Sequence, residues 1–356
     1  MTTQLQTDNL KAMTALGAEW WNDSCDPEHL AEAVANGATG ATSNPVIVET
    51  VVSANQERWL AVVRRLAQAQ PDASAEKITW ELIHEMGRQA AEILRPVYES
   101  SEGARGYLSL QVNPEFSGDS EAMFDQAVQL AGLAPNIAIK LPTTQRGLGV
   151  AERLVARGIP VNTTVSFSVA QAIAAAEAIE RGLTQFAANG GDPTTVHPYV
   201  TIMVGRVGDY LGRIAEQRDD LEFDPELLVC SGVWVFRRAA AIFADRGFSA
   251  TLLSAAYRHE LQWSQIVGPD VLQSIPYAWW KTFQHAEVEV CNNVSEPADE
   301  TQVAELRRLF PEYDLVFEPS GLALEDFEAF EATQTTFSQF CGGYRKLVQW
   351  VAGSIA

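Results

Sequence analysis

Short apolar runs recur along the chain, and apolar residues at helical spacing fill the stretches between them. The runs predict strands at Glu19–Asp23, Thr39–Asn44, Gly106–Val112, Asn136–Leu141, Ile159–Val165, Pro198–Val204 and Ser249–Ser254, with a weaker one near Ser274–Tyr277. Trp59, Val62, Val63 and Leu66 follow the i, i+3, i+4, i+7 rule of an amphipathic helix. Phe124, Ala127, Val128 and Ala131 do the same, as do Val207, Tyr210, Leu211 and Ile214. Strands that alternate with helices predict a parallel α/β fold, and 356 residues suit a single closed (β/α)8 barrel. An open doubly wound sheet is the competitor. No GxGxxG follows the first strand, which counts against it.

Side chains alternate faces along a strand, so parity sorts each run into an outer and an inner set. Ile137, Ile139 and Leu141 share one face of their strand, and Ala138 and Lys140 share the other. Leu108, Leu110 and Val112 oppose Tyr107, Ser109 and Gln111. Asn162, Thr164 and Ser166 oppose Val161, Thr163 and Val165, while Thr201 lies opposite Val200 and Ile202. The apolar faces are expected to meet the helices. Gln111, Lys140, Asn162, Thr164 and Thr201 then point inward near the C-terminal strand ends, where barrel active sites sit. Asn162 and Thr164 also fit helix caps, and Gln111 also fits a partner for buried backbone groups. Lys140 resists a packing explanation: an inward lysine is costly to desolvate. Desolvation also favours the neutral amine that attacks carbonyls.

Composition narrows the function. The formal net charge of −21 disfavours nucleic acid and anionic membranes as partners, and an anionic substrate would need local cations. The lysines number five: Lys11, Lys77, Lys140, Lys281 and Lys346. Cys25, Cys230, Cys291 and Cys341 are scattered without metal-ligand spacing, as expected of reduced thiols in a cytoplasmic protein. Neither a signal peptide nor an 18-residue apolar run is read, so no membrane span is expected.

Four segments resemble the transaldolase family. Gly40–Val46 reads GATSNPV, Ile137–Thr143 reads IAIKLPT, Val161–Ala172 reads VNTTVSFSVAQA and Val204–Val207 reads VGRV. AAYR at Ala255–Arg258 is a weaker fifth match, and all five stand in the family's order. The resemblance implies a (β/α)8 TIM barrel with additional N- and C-terminal helices. The expected layout is one domain over residues 1–356, with helical additions at about 1–18 and 300–356.

It implies a Schiff-base lysine at Lys140 and an acid/base carboxylate at Asp23. Asp26 is an alternative carboxylate that also suits a helix N-cap. Asn44 and Asn162 would grip substrate hydroxyls, Thr201 would line the pocket, and Arg206 and Arg258 would bind phosphate. Thr164 with Gln111 would hold the water used in imine chemistry. No cofactor or metal is implied, and the partners are sugar phosphates, with a homodimer as an option. Two positions depart from the pattern: Gln111 stands where transaldolases carry Glu, and Thr201-Ile202-Met203 replaces Ser-Pro-Phe. Gln111 resembles the small fructose-6-phosphate aldolases instead. A Schiff-base aldolase and a non-catalytic sugar-phosphate binder therefore stay open beside transaldolase.

Overall fold

In the computed structural model, which describes residues 8–218 and 221–355, eight parallel strands close into a barrel in sequence order. They are β1 (Glu19–Asn22), β2 (Gly40–Thr42), β3 (Tyr107–Gln111), β4 (Ile137–Pro142), β5 (Val161–Thr164), β6 (Tyr199–Met203), β7 (Thr251–Ala255) and β8 (Val271–Ile275). β1 closes on β8 with Trp21 opposite Ser274, and Lys140 pairs in register with Gln111 on one side and Asn162 on the other. Of the amino-terminal helical addition, residues 1–7 lie outside the described residues, and Asn9–Ala15 is helical.

Asx-Pro pairs start helices. Asp26 accepts hydrogen bonds from the Glu28 and His29 amides at 3.0 Å, and Asn44 accepts from those of Val46 and Ile47 at 3.0 Å. Proline follows each as the first helical residue, where its missing N–H costs nothing. Parity holds on both sides of the barrel wall. Ile137, Ile139 and Leu141 pack with the helices, while Trp21, Tyr107, Ala138, Tyr199, Leu253 and Leu272 form a separate cluster inside the barrel. Trp21 meets Tyr199 edge-on at 4.6 Å between ring centroids, plugging the N-terminal half of the interior.

Two expectations need correction. The eighth strand runs from Val271 to Ile275, ahead of the expected segment near Ser274–Tyr277. Residues beyond 324 form a short turn at Leu324–Asp326 and one 25-residue helix, Glu331–Ile355, in place of two helices. One helix, Pro225–Arg246, does have the length and apolarity of a membrane span, with a mean hydropathy of 1.6 in its most apolar stretch. That stretch is 61% buried within the protein, and burial against the neighbouring helix Val204–Ala215 accounts for its apolar character. The Glu331–Ile355 helix folds back over the C-terminal mouth of the barrel. It packs on helix Pro45–Ala54 and reaches helices Gln56–Ala69, Ala75–Ser100 and Val204–Ala215.

Candidate active site

A cavity of about 560 Å³ opens at the C-terminal mouth. Asp23, Asn44, Lys140 and Thr164 line it from the strand ends, Arg206, Tyr257 and Arg258 from one side, and Trp279 from β8's following helix. Gln339, Phe340, Gly342, Gly343 and Lys346 line it from the Glu331–Ile355 helix.

Lys140 is 5% exposed, and its Nζ donates to the Ser43 carbonyl at 3.3 Å. Burial pulls the amine below its ordinary pKa; Asp23 opposes that shift, and Arg206 adds to it. Burial likewise raises the Asp23 carboxyl, against the pull of Lys140, Thr42 and Arg206. The carboxylate is not left alone: Thr42 Oγ1 donates to it at 2.5 Å and lies 2.5 Å from Ser274 Oγ. The single Thr42 hydroxyl proton goes to Asp23, so Ser274 donates to Thr42. Three strands, β1, β2 and β8, thus fix one carboxylate.

Asn162 lies deeper. Its Nδ2 donates to Ser109 Oγ at 3.0 Å, and its Oδ1 accepts from Thr201 Oγ1 at 2.7 Å. Asn162 and Thr201 are fully buried and do not line the cavity. Gln111 lines a separate tiny void with Pro142, Val165 and Phe337, its Oε1 buried without a partner. Thr164 does face the cavity, and its hydroxyl is also buried without a partner. Asn44 engages its carbonyl oxygen in the helix cap, which leaves its NH2 end to donate to a ligand. Asp26, by contrast, is a helix cap and not a cavity residue.

The two arginines converge because Gly205 lets two segments touch. A Cβ at Gly205 would fall 2.1 Å from the Ala256 carbonyl oxygen and 2.9 Å from Arg258 Cγ. Arg206 Nη1 donates to Gln339 Oε1 at 2.8 Å, while its Nε is buried without a partner. Burial, with Arg258 adding to it, draws this guanidinium down to about 10. Arg258 donates to the Ala256 and Tyr257 carbonyls at 3.0 and 3.1 Å and pairs with Asp209 at 2.8 Å. Val165 and Ala256 carry φ of 57° and 63° beside these residues. A β-branched residue in that region is strained, and such strain is held in place by its surroundings at working sites.

Sequence reasoning did not find Thr42, Ser274, Tyr257, Trp279, Gln339 or Lys346. Thr42 sits inside the quoted GATSNPV segment, and Lys346 was conspicuous only as one of few lysines. Ser274 and Gln339 carry no local signal. Among the described residues no group of three or more His, Cys, Asp or Glu side chains converges as a metal site. What the arrangement offers is a poised amine, a braced carboxyl group and a cationic wall around one cavity: the equipment of an enzyme that condenses with carbonyls and holds an anion.

Comparison with known proteins agrees. Residues 20–339 match the family described as Transaldolase/Fructose-6-phosphate aldolase, and the chain belongs to that family of enzymes. Transaldolase 2 of a Nostoc species is 29% identical over 306 residues, which is 77% of each chain. The transaldolase of Saccharopolyspora erythraea is 28% identical over 83% of this chain and 86% of its own length. That of Thiobacillus denitrificans is 33% identical over 55% of this chain and 56% of its own.

Proposed function

We propose that this protein is a transaldolase that carries a dihydroxyacetone unit on Lys140 between sugar phosphates. The observation that carries the reading is the buried Lys140 amine, held in neutral-favouring surroundings at the floor of a cavity that Arg206 and Arg258 also line. Lys140 adds to the C2 carbonyl of a ketose phosphate, and loss of water gives an iminium. Asp23 takes the C4 hydroxyl proton, the C3–C4 bond breaks, and its electrons flow into the iminium to give an enamine. An aldose phosphate leaves. The enamine attacks an acceptor aldose phosphate, Asp23 returns the proton, and water then releases the product ketose.

The unpartnered Thr164 hydroxyl supports a role in handling that water. The Asn44 amide supports a contact to a substrate hydroxyl, and the unpartnered Arg206 Nε supports binding of the phosphate together with Arg258. Asn162, in register beside Lys140, and Thr201, bonded to it, are read as supports for the site's wall. The thiols are unpaired among the described residues, which supports a cytoplasmic setting.

The test is borohydride reduction with fructose 6-phosphate, followed by peptide mass spectrometry. A reduced sugar adduct on Lys140 is expected. An adduct on another lysine moves the nucleophile away from Lys140, and no adduct with any ketose phosphate overturns the reading in favour of a binding protein. The second reading, an aldolase that releases free dihydroxyacetone, is favoured by Gln111. Turnover beyond the first equivalent that requires an acceptor aldose, with no free dihydroxyacetone formed, decides for transaldolase.

A further inference from the structure

Four residues of the C-terminal helix that line the cavity, Gln339, Gly342, Gly343 and Lys346, follow the spacing i, i+3, i+4, i+7 and so form one helical face. Adjacent glycines in the middle of a 25-residue helix are costly, because glycine weakens a helix interior relative to alanine. For Gly343 the packing gives a reason: a Cβ there would sit 3.0 Å from Val46 Cα. For Gly342 it gives none, since a Cβ there would meet nothing within 4 Å. The missing side chain at Gly342 leaves cavity space open and relieves no clash.

At one end of this face Gln339 holds Arg206. At the other, seven residues and about 10 Å along the axis, stands exposed Lys346, which makes no ion pair among the described residues. The unpartnered, fully buried Thr164 hydroxyl faces the same cavity and marks it independently as a place for a ligand. The family match stops at residue 339, so Gly342 and Lys346 lie beyond it.

We propose that this helix face determines which sugars the cavity accepts: Gly342 leaves room for the chain of a long phosphorylated sugar, and Lys346 adds a cationic contact for its phosphate. The inference rests on the cavity being the substrate site. Refilling Gly342 in steps with Gly342→Ala and Gly342→Leu tests it. Gly342→Leu lowers kcat/KM for six- and seven-carbon ketose phosphates by about 10-fold or more, and Gly342→Ala has a smaller effect. Gly342→Ala also raises Tm by about 1–2 °C as the helix gains propensity. Lys346→Met raises KM for phosphorylated sugars about 2–5-fold and leaves kcat unchanged, the size of one exposed charge contact.

Borohydride trapping of dihydroxyacetone, too small to reach the helix, stays at wild-type level in all three variants. Wild-type protein that traps no sugar defeats the functional reading itself. Normal trapping with unchanged kcat/KM for long sugars in both Gly342 variants defeats the specificity role alone. An equal loss for dihydroxyacetone and long sugars assigns the helix a purely structural role and defeats it too. Lys346→Met with unchanged KM removes the lysine from the proposal.

Discussion

The two ends of this barrel are built from the same strands and use them in opposite ways. Toward the N-terminal mouth the inward positions carry Trp21, Tyr107, Tyr199, Leu253 and Leu272, which fill the space with rings and branched chains. Two residues beyond Trp21, just past the end of β1, stands Asp23, and two beyond Ala138 in β4 stands Lys140. One pleat repeat carries the strand from packing to chemistry. Tyr107 donates its hydroxyl to the Gly103 carbonyl at 2.8 Å, whereas Gln111 Oε1 and the Thr164 and Ser166 hydroxyls near the other mouth are buried without partners. Interiors selected for stability satisfy their polar groups. Asn136 Oδ1, ahead of β4 at the N-terminal end, is unpartnered too; of these groups the Thr164 hydroxyl is the one that lines the cavity, where a ligand would satisfy it.

Substitutions can break this comparison, beginning with the largest expected effect. Lys140→Ala should lower turnover by at least about 10⁴-fold, as loss of a covalent nucleophile does, while circular dichroism stays that of the barrel. Residual activity near wild type would remove the lysine from the chemistry. Asp23→Asn should keep the Thr42 contact but lose the base, and kcat should fall about 10²–10⁴-fold. At the other end, Leu253→Ala should cost about 2–5 kcal/mol of stability in urea titrations. The kcat of its folded fraction should stay unchanged; a large drop in kcat would show that the two ends are not separate.

The smallest effect joins stability to pH. Lys140 has a pKa below its ordinary value in the fold, so between the two values the unfolded chain binds more protons than the native one. Stability from this group therefore rises with pH and is diminished at neutrality. Lys140→Met should raise Tm at pH 7, and the gain should vanish as pH rises past the ordinary lysine value. A Tm that falls at pH 7 would contradict the neutral-favouring environment.

Much of the barrel was legible because four strands, β3 to β6, kept a consistent parity between an apolar outer face and a distinct inner one. β8 did not: Gln273 and Ser274 are adjacent, polar and buried on opposite faces. Gln273 donates to the Trp263 and Ile266 carbonyls outside the barrel, while Ser274 joins Thr42 inside. Tertiary partners on both faces erased the alternation that sequence reading depends on. The floor of the site was legible for the same reason as the strands, since parity alone aimed Lys140 inward. Its roof was not. Gln339 reaches Arg206 across 133 positions of sequence, and no local pattern marks such a meeting. Parity also says which face a side chain takes but not how far along it reaches. It grouped Gln111 and Asn162 with Lys140, whereas Gln111 faces a separate void and Asn162 is bonded to Ser109 and Thr201 outside the cavity lining.

The aromatic plug of Trp21 and Tyr199 closes the barrel interior on the N-terminal side of the cavity, so the cavity opens toward the C-terminal mouth. Whatever is split off the ketose must leave by the route that the next aldehyde enters. On the proposed mechanism the first product clears this mouth before the acceptor enters, and both react at the carbon held on Lys140. Initial rates at several fixed acceptor concentrations should then give parallel double-reciprocal lines, the kinetic signature of a covalent intermediate that outlives the first product.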